Sequence, residues 1–308
     1  MNSKNEFEEV LKSINYNDES AVHEAITEQI FDDYNSASVD SDMEDTQLLE
    51  HSNSFFDIGY SKNIGRRKNQ QDSIAVSADS YERPCTEKRV LAVLSDGMGG
   101  LNGGEKASKL CTDRMLDYYQ NESKIDDYPQ FFRDCLVDID VQVKSLKDEK
   151  GDFLGCGATI VTFAIDHNEL YWATVGDSHL YIIRGDEIVQ VNQDHNYMLR
   201  LMKKVKDGEI TLDDAKKNKK KDALISFMGI GYLELIDINK KPFRMMKDDI
   251  VLACSDGLYR TLSETEILNT VKSYGGDMQL LSHILISNAL AKQRKNQDNI
   301  SVIIIKNI

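Results

Sequence analysis

Proline is scarce in this chain, with three in 308 residues. A collagen-like or proline-rich extended protein is therefore excluded, and 41% hydrophobic residues point to a packed globular one. Long apolar runs are missing as well. The longest, such as Val90 to Leu94, reach about five residues, where a bilayer span needs roughly twenty. The opening Met1-Asn2-Ser3-Lys4-Asn5-Glu6 has neither the basic nor the apolar region of a secretory signal, so a cytoplasmic protein is expected. Basic charge is short too: 37 Lys+Arg against 52 Asp+Glu leave a net charge of −15. That balance argues against nucleic acid and anionic membranes as partners. The five cysteines (Cys85, Cys111, Cys135, Cys156 and Cys254) are scattered, with no CxxC or zinc-like spacing. They read as small core residues of a reducing compartment.

The charge is unevenly placed. Residues 1–54 hold fourteen acids and two bases, whereas the other 254 residues hold 38 acids and 35 bases. This step predicts an acidic N-terminal extension over residues 1–54 and a separate domain over 55–308. Within the extension, Phe7, Val10, Leu11 and Ile14 recur at helical spacing, as do Val22, Ile26 and Ile30. From Asp32 to Asp45 that signal fades, so the extension is read as partly helical and partly disordered.

In the larger segment several short runs are apolar on both alternating faces: Val90 to Leu94, Leu170 to Val175, Leu180 to Ile183, Ile250 to Ala253 and Ile300 to Ile305. Such strands need cover on both sides. Asp166-His167-Asn168 and Gly185-Asp186 are tight turn signals between consecutive strands, which must then run antiparallel. The tripeptide Arg184-Gly185-Asp186 is best read as part of such a hairpin. Helical periodicity over Glu105–Gln120, Pro129–Lys147, Glu264–Ser273 and Met278–Lys292 supplies the cover. The expected fold is α+β, a four-layer α/β/β/α sandwich with two antiparallel sheets flanked by helix pairs.

The aspartates fall in a pattern. Val90 to Leu94 runs into Ser95-Asp96-Gly97, and Ile250 to Cys254 runs into Ser255-Asp256-Gly257. Asp72 precedes Ile74-Ala75-Val76, Asp298 precedes Ile300-Ser301-Val302, and Asp177 sits between two strands. In an antiparallel sheet the end of one strand lies beside the start of its neighbour, so these acids can gather on one rim. Gathered carboxylates repel one another unless a cation balances them. Oxygen ligands without nearby Cys or His select hard ions: magnesium, manganese or calcium. The glycines of Asp96-Gly97-Met98-Gly99-Gly100 let the backbone approach such an ion, with the Gly97 carbonyl as a candidate ligand. Arg66-Arg67-Lys68-Asn69, just before Asp72, supplies the cationic edge expected to meet a phosphate oxyanion.

These words, in this order, resemble the metal-dependent protein phosphatase family, also called protein phosphatase type 2C. The resemblance covers nearly all of residues 55–308. It runs through Arg67-Lys68-Asn69-Gln70-Gln71-Asp72, Ser95 to Gly100 with Gly104-Glu105, Gly157-Ala158-Thr159, Val175-Gly176-Asp177-Ser178, Asp194-His195, Ser255-Asp256-Gly257-Leu258 and Asp298-Asn299. Met98-Gly99-Gly100 and the insert Asp207-Gly208-Glu209-Ile210-Thr211 are similar to the bacterial branch. The resemblance implies a serine/threonine phosphatase that hydrolyses phosphoserine and phosphothreonine monoesters, using two Mn2+ or Mg2+ ions and a weaker third. By the same likeness, Asp96 bridges the two ions, the Gly97 carbonyl binds one, and Asp256 and Asp298 bind the other. Asp72 orients the attacking water, Arg67 binds the substrate phosphate, and Asp177 binds the third ion. Implied partners are phosphorylated proteins and an opposing serine/threonine kinase, and a monomer is expected.

Four residues depart from the family pattern. Gln71 stands where some members carry glutamate, and Met98 stands where animal members carry a histidine proposed as general acid. Methionine has no proton to give, so water must protonate the leaving group. Arg260 stands where many members have a third-site acid, and a cation there should weaken a third ion or point away. His179 stands where arginine is usual and reads as structural. The insert from Leu199 to Gly231 resembles the family's flap beside the active site, with a lysine run over Lys216-Lys217 and Lys219-Lys220-Lys221. Two alternatives stay open on sequence alone: a catalytically weak pseudophosphatase acting as a regulatory binding protein, and a calcium-binding structural module.

Overall fold

Among the described residues of the computed structural model, twelve strands form two sheets, and every strand pair in them is antiparallel. The structure describes residues 55–77, 88–99, 103–274 and 276–308. The acidic extension read over residues 1–54, Cys85 and Gly100 lie outside the described residues.

One sheet holds β1 (Phe56–Asn63), β12 (Ile300–Asn307), β11 (Ile250–Cys254), β7 (His179–Arg184) and β8 (Glu187–Gln190), in that order. The other runs β10 (Phe243–Arg244), β6 (Glu169–Val175), β5 (Ile160–Asp166), β3 (Arg89–Met98) and β2 (Asp72–Val76). The two-residue strands β4 (Gly157–Ala158) and β9 (Asp237–Ile238) pair with β3 and β6. The expected hairpins are present. His167 takes a φ of 59° between β5 and β6, and Gly185 takes 57° between β7 and β8, the positive φ a two-residue hairpin demands. Arg184-Gly185-Asp186 is therefore a turn, as read.

Alternation of side chains between two buried faces explains the layers. On β3, Leu91 and Val93 pack with Met115, Phe132, Leu136 and Ile139 of α1 (Gly103–Asn121) and α2 (Tyr128–Lys144). On β11 and β12, Leu252, Val302 and Ile304 pack with Ile267, Leu281 and Leu285 of α6 (Glu264–Tyr274) and α7 (Met278–Ala291). The intervening residues Ala92, Leu94, Phe163, Val251, Ala253, Ile303 and Ile305 are buried as well. Because side chains alternate across a strand and β12 touches β2 and β3, this second set fills the space between the sheets. The four-layer sandwich follows.

The helix starts have local causes. Asp127 accepts from the Gln130 amide at 3.0 Å and Pro129 sits in the first turn of α2, while Asp277 accepts from the Leu280 amide at 2.9 Å to open α7. α2 stops at Lys144, three residues before the periodicity suggests, because Ser145 caps it and turns its hydroxyl back onto the Val141 carbonyl at 2.7 Å. β3 runs on to Met98 instead of ending near Leu94. Its extra length is stitched to β4, where Gly97 pairs with Ala158 and Met98 with Gly157. The insert forms α3 (Tyr197–Lys206) and α4 (Leu212–Lys217), the latter opened by a capping box between Thr211 and Asp214. A single turn, α5 (Asp256–Tyr259), follows β11.

All four described cysteines are buried and free, as small core residues should be. No helix among the described residues is long and apolar enough to cross a membrane.

Candidate active site

Strand pairing brings the aspartates together. Asp72 opens β2 and stands opposite Asp96 on β3. Asp256 lies two residues after the end of β11, Asp298 lies two residues before β12, and those strands are neighbours. Asp177 occupies the β6–β7 turn, where Gly176 takes a φ of 108°. Asp96, Asp177, Asp256 and Asp298 line one cavity of about 430 Å3, together with Gly97 and Arg67. Asp72 sits behind it and is buried, with its Oδ2 accepting from the Ser255 hydroxyl at 2.8 Å.

Burial holds Asp72, Asp96, Asp177 and Asp256 away from their ordinary ionisation. The Asp96 carboxyl is held well above the usual carboxylate range, first by burial and then by the charges of Asp72, Asp256, Asp298 and Asp177. Asp72 is pushed up to about 6 by burial, against the pull of the Ser301 and Ser255 hydroxyls. Asp177 is pushed up to about 6, again by burial, with Arg260 opposing it. Asp256 is raised by burial too, and Arg260 draws it back. Shifts of this kind at one cavity mark a site that wants a cation.

Protein cations now meet some of that demand. Arg67 pairs through Nη2 with Asp298 Oδ2, and Arg260 reaches Asp177 and Asp256. Among the described residues no three acids already close around one point as a finished metal cage. A pair of hard ions does not require one, since each fills much of its shell with water, carbonyl and substrate oxygens. The donor set is all oxygen, and Asp256 Oδ1 is buried with no hydrogen bond of its own. The residues therefore fit hard divalent ions.

Backbone placement is tight. The Asp96 amide donates to Thr159 Oγ1 at 3.1 Å, its carbonyl accepts from the Thr159 amide at 2.8 Å, and Thr159 Oγ1 meets Ser178 Oγ at 2.7 Å. One threonine thus joins the Asp96 strand to the Asp177 turn. Asn299 does similar work on the other side. Its Nδ2 donates to the Ile64 and Asn69 carbonyls at 2.8 and 3.1 Å, and its Oδ1 accepts from the Gln71 amide at 2.8 Å. The loop carrying Arg67 is thereby pinned beside Asp298. Thr159 and Asn299 lie within the quoted sequence motifs, but nothing in the motifs states these positioning roles, which need the three-dimensional partners.

At Gly97 an added Cβ would fall 2.1 Å from the Gly104 carbonyl oxygen and 2.6 Å from that of Gln71. Gly97→Ala is therefore expected to force β3 and α1 apart, costing about 2 kcal/mol in urea or thermal unfolding. A loss below roughly 0.5 kcal/mol would show that this approach has slack.

The departures from the family pattern are also placed. Gln71 lines the cavity and donates through Nε2 to the Gly99 carbonyl at 3.0 Å. Met98 lines it as well. His179 is structural: buried, bonded through Nδ1 to the Tyr181 hydroxyl at 2.7 Å, and stacked 3.5 Å from the Tyr259 ring. His195 accepts from the Gly176 amide through Nδ1 at 3.2 Å, which fixes the Asp177 turn. The insert reaches the cavity wall through Asp222 and Leu224.

A two-sheet sandwich with an oxygen-lined nest at one rim suits hard-metal chemistry, and comparison with known proteins narrows it. The Protein phosphatase 2C family model matches residues 56–200. The Serine/threonine phosphatase stp of Listeria welshimeri is 25% identical over 223 residues, spanning 71% of this chain and 85% of that one. The solved serine/threonine phosphatase of S. agalactiae superposes with a TM-score of 0.66 at 25% identity, covering 82% of this chain and all of that one. The catalytic domain of PstP, described in complex with 2 manganese ions, superposes with a TM-score of 0.63 at 24% identity over 82% of this chain and 97% of that one. Over most of its described domain the chain is thus similar to bacterial metal-dependent protein phosphatases of the 2C family.

Proposed function

We propose that this protein is a metal-dependent serine/threonine protein phosphatase that hydrolyses phosphoserine and phosphothreonine monoesters on proteins. The observation that carries the reading is the convergence of Asp96, Asp256 and Asp298 on one cavity beside Arg67. Asp96 and the Gly97 carbonyl, with Asp256 and Asp298, are the residues that would hold two Mn2+ or Mg2+ ions. Such a pair lowers the pKa of water and spreads the charge of a phosphoryl group.

The chain's own groups do the rest. A phosphate monoester is inert in water, so catalysis is mostly positioning and electrostatics. Arg67 is half exposed at the mouth and can leave Asp298 to grip two phosphate oxygens with its planar fork. Asp72, fixed by Ser255, orients the attacking water and can hold its proton at Oδ1. Met98 donates no proton, so the leaving oxygen takes one from water. The non-catalytic alternative has no support: the acids of the nest are all in place, and the relatives are named as phosphatases.

The proposal extends to setting. The charge step near residue 54 and the clustering of Ser54–Ile308 as one compact unit support a catalytic domain over 55–308 preceded by an acidic extension. Four buried, free cysteines favour a reducing cytoplasm. There the enzyme acts as a monomer on phosphoproteins, opposite a serine/threonine kinase in a signalling pair.

The test is phosphate release from a phosphothreonine peptide with saturating Mn2+. Turnover is expected, and none at any Mn2+ concentration would overturn the reading. In the same assay Arg67→Ala is expected to raise KM about tenfold or more, the worth of a charged bidentate contact, with a smaller fall in kcat. A wild-type KM would remove Arg67 from phosphate binding.

A further inference from the structure

We infer that Arg260 is the resident cation on the Asp177 side of the nest, so that this chain holds two divalent ions and not three. The inference rests on the two-ion reading above and concerns what closes its third side.

Arg260 follows the single turn α5, four residues after Asp256. Its Nη2 donates to Asp177 Oδ2 at 3.2 Å, and its Nε lies 3.2 Å from Asp256 Oδ2. One planar guanidinium thus spans the two carboxylates from which another ion site would have to be built. A hard ion there needs those same oxygens and the space between them. The guanidinium and an ion are therefore alternatives.

The arginine is held in place. Its amide donates to the Asp256 carbonyl at 3.0 Å, and its own carbonyl accepts from the Arg294 guanidinium, which also reaches Thr261 Oγ1 at 3.2 Å. Its side chain lies by the Tyr259 ring, 5.9 Å from the centroid, and that ring is stacked on buried His179. His179 in turn has its Nε2 3.1 Å from Asp194. These supports fix the backbone and the neighbouring ring, so the guanidinium has little reason to leave its two acids.

Charge balance agrees. Asp72, Asp96, Asp177, Asp256 and Asp298 face Arg67 and Arg260, while Asp222 is held by Lys221 at 2.6 Å. Fully ionised, the five acids exceed the two guanidiniums by three charges. Two divalent ions turn that into a slight positive excess, which suits an incoming phosphate dianion. A further ion would press two more positive charges against a guanidinium that cannot lose its proton.

The test is Mn2+ stoichiometry, by calorimetry and by metal analysis after equilibrium dialysis, on the full chain. Wild type and Arg260→Lys are expected to bind two ions each. Arg260→Ala is expected to gain a third, weaker ion, and Arg260→Ala combined with Asp177→Asn to lose it again. Three ions in the wild type would overturn the inference, and so would a count of two in folded Arg260→Ala. The wild-type count decides the matter even if the alanine variant fails to fold. A wild type that binds no Mn2+ at all would instead sink the metal reading itself, and this inference with it.

Discussion

Asp96→Asn is expected to lower kcat for phosphopeptide hydrolysis by roughly 10³-fold or more, on the scale of losing a central electrostatic element of a site. The reasoning starts from placement. Four acidic neighbours act on Asp96, with Asp72, Asp256, Asp298 and Asp177 all raising its carboxyl. In the function proposed above it is the acid on which both ions would draw. Asparagine keeps the shape but offers one neutral oxygen where two charged ones stood. The backbone should not notice the change, because Asp96 is held through its amide and carbonyl by Thr159. Removing a charge that its neighbours oppose should leave the melting temperature of the metal-free protein level or higher. Unchanged turnover in a folded variant would mean that the assignment of the site is wrong.

Metal removal is expected to have the second large effect. Dialysis against a chelator should abolish hydrolysis, and Mn2+ should restore it. Stability should follow, because ligands that bind only the folded state stabilise it: a site at 100 times its Kd contributes about 2.7 kcal/mol. The pH dependence of the metal-free form gives an independent check. Asp72 and Asp177 keep their protons up to about 6 in the folded protein, against 3.8 ordinarily. Between those values the folded state binds more protons than the unfolded one, so these groups make stability fall as pH rises through that window. Below it, both states are protonated and their contribution is fully present. Saturating Mn2+ should flatten or reverse the slope, since it favours the ionised nest. A metal-free melting curve that is level from about pH 4 to 6, with no Mn2+ effect, would remove the strained carboxylates from the account.

Much of this site was legible in the sequence because its chemistry is written in short local words. A strand end followed by Asp96-Gly97 or Asp256-Gly257 carries its meaning within a few residues. Tight turns such as Asp166-His167-Asn168 dictated antiparallel pairing, and the pairing then dictated convergence. What stayed hidden acts across distance. Asn299 grips carbonyls more than two hundred residues away in the chain, and Thr159 joins Asp96 to Ser178. Their side chains are ordinary, and only their partners give them a task. The reach of β3 to Met98 was hidden for a related reason, since it depends on the remote two-residue strand β4. Arg260 could be seen to be out of pattern, but the direction of its side chain could not. That direction comes from where α5 delivers it relative to the Asp177 turn.

The Asn299 staple has a consequence for how enzymes of this design diversify. Through one amide, the Arg67 loop and the segment leading into β12, which carries Asp298, become a single rigid floor. The same cavity is lined by Asp222 and Leu224 of the insert, a segment that pairs with Asn196. Substitutions in the insert can therefore reshape that part of the cavity without touching the Asn299 hydrogen bonds.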